Sequence, residues 1–520
     1  MMNKNVNENN QSAGKAQPEQ LTQEVVGANY SPVAHLQRAV FRDPGKVALI
    51  WDDGELTAAQ SLDVVSRLAA YLQDRGVGAG DVVLVIAKNH PLHLLTHVAC
   101  AWLGAVFCPL NVRLATAEVA AICARIRPQH ILTDRTDALR WQGDASVEVI
   151  ADDWLAQILA EEPVELEPIV ADEDAVGALV FTSGTTGEPK GALLTHANLW
   201  WGWRNFREGF GYDRRDTEAV AAPLSHIGGF NGLTLDLFVS GGTVVVIRNF
   251  VPAQVVETLR RHGVAVMFAV PTMYRALVAQ VGFSAENLPE FRLPLVGGAP
   301  IDAQLVRDMV AKGFVPLHVW GMTETAGSGA CLPQRLAATN PESCGRPFPY
   351  TNLRLRAADG SLIDSAGQVG EIEVSGPCVV TRWWPDATSD AWLGTGDLAR
   401  FDGNGLLTIV GREKEIIISG GENIHPAEVD RALAGIGGLA DWCTCGVPDQ
   451  KWGETVAVVA VAAKGKAAPS LAQVRDFLTQ RLARFKLPRH LVLVPQIPVG
   501  ATGKHDRDGC SELARGELGL

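Results

Sequence analysis

The chain lacks an excess of positive charge. Lys and Arg number 45 against 58 Asp and Glu, a formal net charge of -13. That balance speaks against nucleic acid as a partner, whose phosphates need a basic face. A local basic site for a small phosphorylated ligand is still allowed. Zinc-site and disulfide spacings are missing too. The nine cysteines are scattered, and Cys443 and Cys445 alternate within a strand-like run. Buried free thiols are therefore expected. No apolar signal segment opens the chain: Met1 to about Gln20 is rich in Asn, Gln and Lys, and residues 1–28 read as a disordered tail. No run is long enough to span a bilayer. The most apolar stretch, Leu94–Leu110, is interrupted by Thr96, His97, Gly104 and Pro109 and reads as a buried helix followed by a strand. A cytoplasmic location follows as the expectation, in keeping with reduced thiols. Internal repeats and low-complexity linkers are absent.

What is there fits a globular protein. A length of 520 residues exceeds one core, so two or more domains are expected. From about Ser31 to Lys312, apolar strands alternate with helical periodicity, as in Ala58–Asp74 followed by Asp81–Ala87. That alternation predicts parallel sheets covered by helices. Near Tyr350 the texture changes to short strands, Leu353–Arg356, Gly370–Ser375 and Leu407–Val410, separated by turns such as Asp402-Gly403-Asn404-Gly405. A small antiparallel region is expected there. Beyond Gly411–Glu415 a compact α+β pattern follows, with helices at Pro426–Leu433 and Ser470–Leu482.

One stretch points to chemistry. After the apolar run Ala175–Phe181 come Thr182, Ser183, Gly184, Thr185, Thr186, Gly187, Glu188, Pro189, Lys190 and Gly191. Glycines let backbone N–H groups approach a ligand, and successive N–H groups form a cavity for anions. Four hydroxyls and one lysine complete a polyphosphate site. It is not a Walker A loop, because Pro189 precedes the lysine and Gly191 follows it. A plain polar loop is the alternative on composition alone.

Further motifs follow in a fixed order: Pro223-Leu224-Ser225-His226, Val319 to Thr325, Leu393 to Asp397, Gly411 to Glu415, Ser419 to Pro426 and Gly500 to Lys504. Together with the Thr/Gly loop they resemble the adenylate-forming superfamily, in its acyl-CoA synthetase branch. The resemblance spans roughly Ala175 to Arg507. It implies an α/β fold: a large N-terminal domain of stacked sheets with flanking helices and a small β region (29–411), a hinge (412–414) and a small mobile α+β domain (415–520). It also implies ATP, Mg²⁺ and CoA, and two half-reactions. A carboxylic acid attacks the α-phosphate of ATP, giving acyl-AMP and pyrophosphate. The CoA thiol then takes the acyl group and releases AMP.

The resemblance assigns roles residue by residue. The loop from Thr182 to Lys190 would hold the β- and γ-phosphates. Thr323 would contact the α-phosphate, Glu324 would hold Mg²⁺, and Lys504 would bring charge to the reacting carboxylate and phosphate. Trp320 stands where an adenine-stacking tyrosine is usual, and Gly298, Ala299, Pro300, Gly321 and Met322 would lie against the nucleotide. Asp397 and Arg412 correspond to ribose contacts. Lys414 takes the hinge position. Arg113, Gly420, Gly421, Glu422, Trp452, Lys486 and Arg489 match CoA contacts. His505, directly after the catalytic lysine, is expected to face solvent.

His226, Phe230, Asn231, Val270, Gly298, Gly321, Met322 and Gly327 would line the acyl pocket. The set carries no evident charge, which argues against a dicarboxylate or an amino acid. Glycines at 228, 229, 297, 298, 321, 327 and 329 suggest room for an apolar chain or ring. A medium- or long-chain fatty acid is favoured, with an aryl or arylpropenoic acid next. An enzyme loading a separate carrier protein is a further alternative, since Leu520 follows Lys504 closely and no fused carrier is expected. A homodimer is left open.

Overall fold

The structure, a computed structural model, describes residues 29–52, 54–135, 146–151, 153–163, 173–182, 190–299, 301, 303–385, 387–419, 422–482, 484–500 and 503–520. Among these residues the strands form four sheets. The first runs in the order Arg346–Pro347, Ala330–Cys331, Leu317–Trp320, Leu293–Gly297, Val266–Ala269, Thr217–Val220, Thr243–Val246, Val47–Trp51, Gly54–Thr57. The second runs Ala387–Thr388, Arg382–Trp384, Lys190–Thr195, Val176–Thr182, Val106–Pro109, Val82–Ile86, His130–Thr133, Ser146–Val149. Their central strands are parallel. Runs such as Val82–Ile86 and Thr243–Val246 are apolar almost throughout, as strands buried on both faces must be.

One core joins the two sheets. Val83, Phe107 and Val180 of the second sheet share it with Val244, Val266 and Val319 of the first. The helix Leu92–Leu103 is buried along its whole length between them, so the apolar stretch is indeed a core helix followed by the strand Val106–Pro109. None of the described helices is long and apolar enough to cross a membrane. The helix Ala58–Asp74 begins where its periodicity does, because Thr57 and Gln60 cap it reciprocally.

The third sheet is antiparallel, in the order Leu362–Ile363, Asn352–Arg356, Gly370–Ser375, Leu393–Phe401, Leu407–Arg412. A single 3-10 turn, Glu413–Glu415, separates it from the fourth sheet, which starts at Ile417–Ser419. Gly453–Ala462 is the middle strand of that last sheet, pairing with Ile417–Ser419, with His490–Leu493 and along its length with the edge strand Leu439–Asp449. Helices Pro426–Leu433 and Leu471–Thr479 pack on one side with Val456 and Val458, and helix Arg507–Leu518 packs on the other with Cys443, Cys445 and Val459. The result is a large sheet-rich unit followed by a small α+β unit. All nine cysteines are buried and free.

Three features differ from the sequence reading. The strand after the Thr/Gly loop, Lys190–Thr195, returns antiparallel against Val176–Thr182, so the loop closes a hairpin. The terminal helix Arg507–Leu518 was not foreseen. His505 does not simply face solvent: its ring is half-buried and its Nε2 lies 3.1 Å from Asp441 Oδ2.

Candidate active site

Three neighbouring parallel strands deliver the site. Val266–Ala269, Leu293–Gly297 and Leu317–Trp320 lie side by side, so Val270, Gly298 and Gly321 emerge together at their carboxyl ends. Ligands of open α/β sheets bind at such edges. The third sheet closes over this edge through Asp397. Its Oδ2 accepts from Trp320 Nε1 at 2.8 Å, and its Oδ1 accepts from Arg412 Nε at 2.9 Å. Asp397 and Arg412 are direct cross-strand partners. The indole is thereby fixed in plane, with its ring against Gly329, where a Cβ would fall 2.3 Å from it.

After Trp320 the chain makes a tight 3-10 turn, Thr323–Thr325. Thr325 Oγ1 accepts the Met322 N–H, and Ala326 and Gly327 follow with φ of 50° and 88°. Gly321 must be glycine here: a Cβ would sit 2.1 Å from the Gly327 carbonyl oxygen. The Glu324 carbonyl accepts from Val380 N–H at 2.8 Å, and the Ala326 carbonyl accepts from Asn231 Nδ2 at 3.0 Å. Glu324 is thus presented on a backbone fixed from both sides. Burial pushes its carboxyl up from the usual glutamate range; Arg412 acts in the opposite sense, and Asp397 adds to the rise. A half-buried carboxylate of this kind is ready for a cation. Among the described residues no three His, Cys, Asp or Glu side chains gather as a metal cage. The donor set fits magnesium, which binds through one or two carboxylates together with substrate phosphates.

Lys504 comes from the small unit. Its loop is shaped by Gly503 at φ 79°, by Gly500 N–H donating to the Lys504 carbonyl at 2.8 Å, and by the bridge between Val499 and His505. A Cβ on Gly298 would meet Lys504 Cε at 3.6 Å and Val270 Cγ1 at 3.4 Å, so the lysine lies over the edge of the first sheet. Burial, with Arg412 beside it, holds the Lys504 ammonium below the usual lysine range, while Asp397 and Glu415 oppose that. His226 is held down to about 4, by burial first and then by Lys504, and is neutral at pH 7. Lys504 and Arg412, close to Glu324 and Asp397, make a site of paired charges suited to a phosphoryl group and a carboxylate.

The structure brings Trp320, Gly321, Met322, Thr323, Glu324, Asp397, Arg412, Gly298, Val270, His226 and Lys504 to this one edge. Thr182 and Lys190 are cross-strand partners at the root of the hairpin. Ser183, Gly184, Thr185, Thr186, Gly187 and Pro300 lie outside the described residues, as do Gly420 and Gly421. Ala299 follows Gly298, and Glu422 opens the strand Glu422–Ile424. Phe230 is fully buried, its ring 5.0 Å from His97 and 5.1 Å from Phe107. Asn231 spends its amide on the scaffold: its oxygen accepts from Trp203 Nε1 at 2.7 Å, and its nitrogen donates to the Leu199 and Ala326 carbonyls. Lys414 is exposed in the 3-10 turn. In the small unit, the Trp452 ring has Lys451 Nζ at 4.7 Å and Arg489 Cζ at 5.1 Å from its centroid. Lys486 does not join them; its ammonium donates to both oxygens of Glu428 at 2.7 Å. Arg113 is exposed in the loop after Val106–Pro109.

Most of these glycines do not mark empty space as their abundance suggested; only Gly298 and Gly327 of the set leave a Cβ nothing nearer than 3.4 and 3.9 Å. A Cβ on Gly229 would reach the Pro223 carbonyl at 2.3 Å, and one on Gly297 would reach the Val319 carbonyl at 2.6 Å. These glycines allow close backbone approach instead. The residue missed was Phe268. It is half-buried within an otherwise buried strand, and its ring lies between Gly228 and Gly297, whose Cβ positions are 2.9 and 3.0 Å from it. Within the run Val266-Met267-Phe268-Ala269 nothing in the sequence distinguishes it from core.

Comparison with known proteins defines the class. The family model of the AMP-binding enzymes matches residues 36–384, and that of the AMP-binding enzyme C-terminal domain matches residues 428–504. The chain belongs to the AMP-binding enzyme family. It is 36% identical over 464 residues to a feruloyl-CoA synthase of Amycolatopsis sp, covering 86% of this chain and 92% of the relative. It is 31% identical over 473 residues to a long-chain-fatty-acid–CoA ligase of Mycobacterium tuberculosis, covering 87% and 92%. The solved o-succinylbenzoate–CoA synthetase of Bacillus subtilis, in complex with ATP and magnesium ion, superposes with a TM-score of 0.82 at 27% identity, covering 91% of this chain and 98% of that one. The protein is accordingly an ATP-dependent acid–CoA ligase that uses Mg²⁺ and CoA.

Proposed function

We propose that the activated acid is an aryl or arylpropenoic acid. The observation that carries this reading is Phe268: a half-buried aromatic ring on the strand Val266–Ala269, two residues before Val270 and packed against Gly228 and Gly297, offers an aryl ring a partner. Relatives named for ferulate and o-succinylbenzoate support it. A fatty acid stands second, supported by the mycobacterial relative. Each acid is tested by acid-dependent pyrophosphate release across aryl, fatty and dicarboxylic panels, with and without CoA. Turnover confined to fatty acids overturns the aryl reading. Acid-dependent pyrophosphate exchange without CoA-dependent AMP release points to a carrier protein instead.

We assign the residues as follows. The acid sits with its carboxylate toward Lys504, and the nucleotide lies against Trp320 and Gly298. Asp397, already oriented by Trp320 and Arg412, receives the ribose hydroxyls. Thr323 donates to the α-phosphate, and the hairpin from Thr182 to Lys190 holds the pyrophosphate that leaves. Glu324 would hold magnesium, which when bound offsets phosphate charge. As the carboxylate oxygen bonds to phosphorus and the bond to pyrophosphate breaks, Lys504 offsets charge on both reactants. His226, being neutral, borders the acid without adding charge.

In the second half-reaction the CoA sulfur bonds to the acyl carbon and AMP leaves. Acyl-AMP is a mixed anhydride and a thiol ionises readily, so no dedicated base is needed. Residues 29–411 act as the adenylation domain, 412–414 as the hinge and 415–520 as the moving domain, with Lys414 absorbing the rotation. Trp452 and Arg489 form a CoA-facing pair in the small unit, and Arg113 of the large unit contributes as well. Lys486 contributes only if Glu428 releases it. The reduced thiols are in keeping with a cytoplasmic setting.

A further inference from the structure

Three residues beyond Lys504, a half-buried arginine ties the lysine's loop to the linker. Arg507 opens the helix Arg507–Leu518, whose first turn is capped by Asp506 accepting the Gly509 N–H at 3.0 Å. The guanidinium points inward, with its side chain 19% exposed. Its Nε donates to Glu415 Oε2 at 2.8 Å, its Nη2 lies 2.7 Å from Asp430 Oδ2, and its Nη1 donates to the Thr444 carbonyl at 2.6 Å. Asp430 is itself fixed by the Thr444 N–H at 2.7 Å. Burial works against the charge, but Asp430 and Glu415 more than offset it and hold the guanidinium protonated.

Glu415 is the decisive partner. It ends the 3-10 turn that contains Lys414 and follows Arg412, and its charge acts on both Lys504 and Arg412. One guanidinium therefore spans the end of the linker, the helix Pro426–Leu433, the strand Leu439–Asp449 and the segment that carries Lys504. A planar fork with donors in three directions suits this; a lysine offers one point charge. The loop is held to its own unit by Gly500 N–H on the Lys504 carbonyl, Asp506 N–H on the Pro498 carbonyl and His505 against Asp441, while Arg507 reaches the linker at Glu415.

We propose that Arg507 is a positioning residue for the adenylation step: it locks the Lys504 loop to the linker through Glu415, so that rotation at the hinge delivers the ammonium to the acid and the α-phosphate without slack. The inference rests on the role given to Lys504 above. It concerns the first half-reaction, because the second does not use that lysine.

The test uses the full-length enzyme with Arg507→Met, Arg507→Lys, Glu415→Gln and the Met/Gln double variant. Single-turnover pyrophosphate release reads adenylation, and thioester formation from supplied acyl-AMP and CoA reads the second step. Arg507→Met is expected to slow adenylation at least tenfold, with KM for ATP and thioester formation within twofold of the parent. Glu415→Gln, which removes one arm from a half-exposed site and keeps the fold, is expected to reproduce part of the loss. The double variant should add little, and Arg507→Lys should restore part of the rate. Parallel loss of both half-reactions, or full additivity, overturns the proposal. Amide hydrogen exchange separates this outcome from failure of the functional reading, since it needs no substrate. Arg507→Met should raise exchange at residues 413–417 and 503–506 together while sparing the strand pair Leu439–Asp449 and Gly453–Ala462. Unchanged exchange, or a rise across the whole unit, overturns the proposal even if the acid remains unknown.

Discussion

Glu218→Gln removes from the pH profile of stability the loss that the parent carries at this one carboxyl. Glu218 lies on the strand Thr217–Val220, is 1% exposed, and accepts from Thr234 Oγ1 at 2.9 Å through one oxygen. Its other oxygen has no partner among the described residues. Burial, then the charge of Asp236, pushes the carboxyl from its ordinary 4.5 to about 8, against the opposing bond from Thr234. The folded protein therefore keeps a proton that the unfolded chain releases above 4.5. The stabilisation is fully present below that pH and is lost as pH rises through about 8. At about 1.36 kcal/mol per pH unit for one proton, the total is roughly 5 kcal/mol. Glutamine keeps the oxygen for Thr234 but buries an unpartnered amide, which costs about 1–3 kcal/mol. Parent and variant curves should cross between about pH 5 and pH 7, with the variant more stable at pH 8. Chemical denaturation at pH 5, 6, 7, 8 and 9 measures this. Curves that run parallel across the range would refute an ionisation at Glu218.

Asp397→Asn removes the charge shared by Trp320 and Arg412, at about 1.5–3 kcal/mol per charged hydrogen bond, so KM for ATP should rise roughly ten- to hundredfold. The same change removes a group that supports the Lys504 cation, so the alkaline limb of the adenylation profile should move to lower pH. Gly321→Ala drives a methyl group into the Gly327 carbonyl; a loss of about 1–3 kcal/mol by thermal melting, with impaired adenylation, is expected. Phe268→Ala should reduce turnover of aryl acids relative to fatty acids by about tenfold, read as the ratio of kcat/KM values.

Much of the fold was legible because local signals agreed with the packing. The helix Ala58–Asp74 and the strand Gly370–Ser375 fall where periodicity and punctuation put them. The helix Arg507–Leu518 was hidden by two internal glycines and a charged surface, and only its docking on Cys443 and Val459 makes it a helix. The site was legible as motifs but not as geometry. Asp397 and Arg412 meet through sheet register, and the bond from Trp320 to Asp397 crosses between two sheets. Glycine composition misled at Gly229, Gly297 and Gly321, since a missing side chain looks alike whether it admits a ligand or a neighbouring carbonyl. Phe268 and Arg507 act through tertiary neighbours, Gly228 and Gly297 for one and Glu415 and Asp430 for the other, which no local pattern reports.

The central claim is that Lys504 serves the first half-reaction and not the second. Lys504→Ala, assayed for acid-dependent pyrophosphate release and separately for thioester formation from supplied acyl-AMP, tests it most directly. Loss of a positioned charge predicts adenylation slowed by about a hundred- to a thousandfold, with thioester formation near the parental rate. Equal loss of both half-reactions, or adenylation that survives intact, would contradict it.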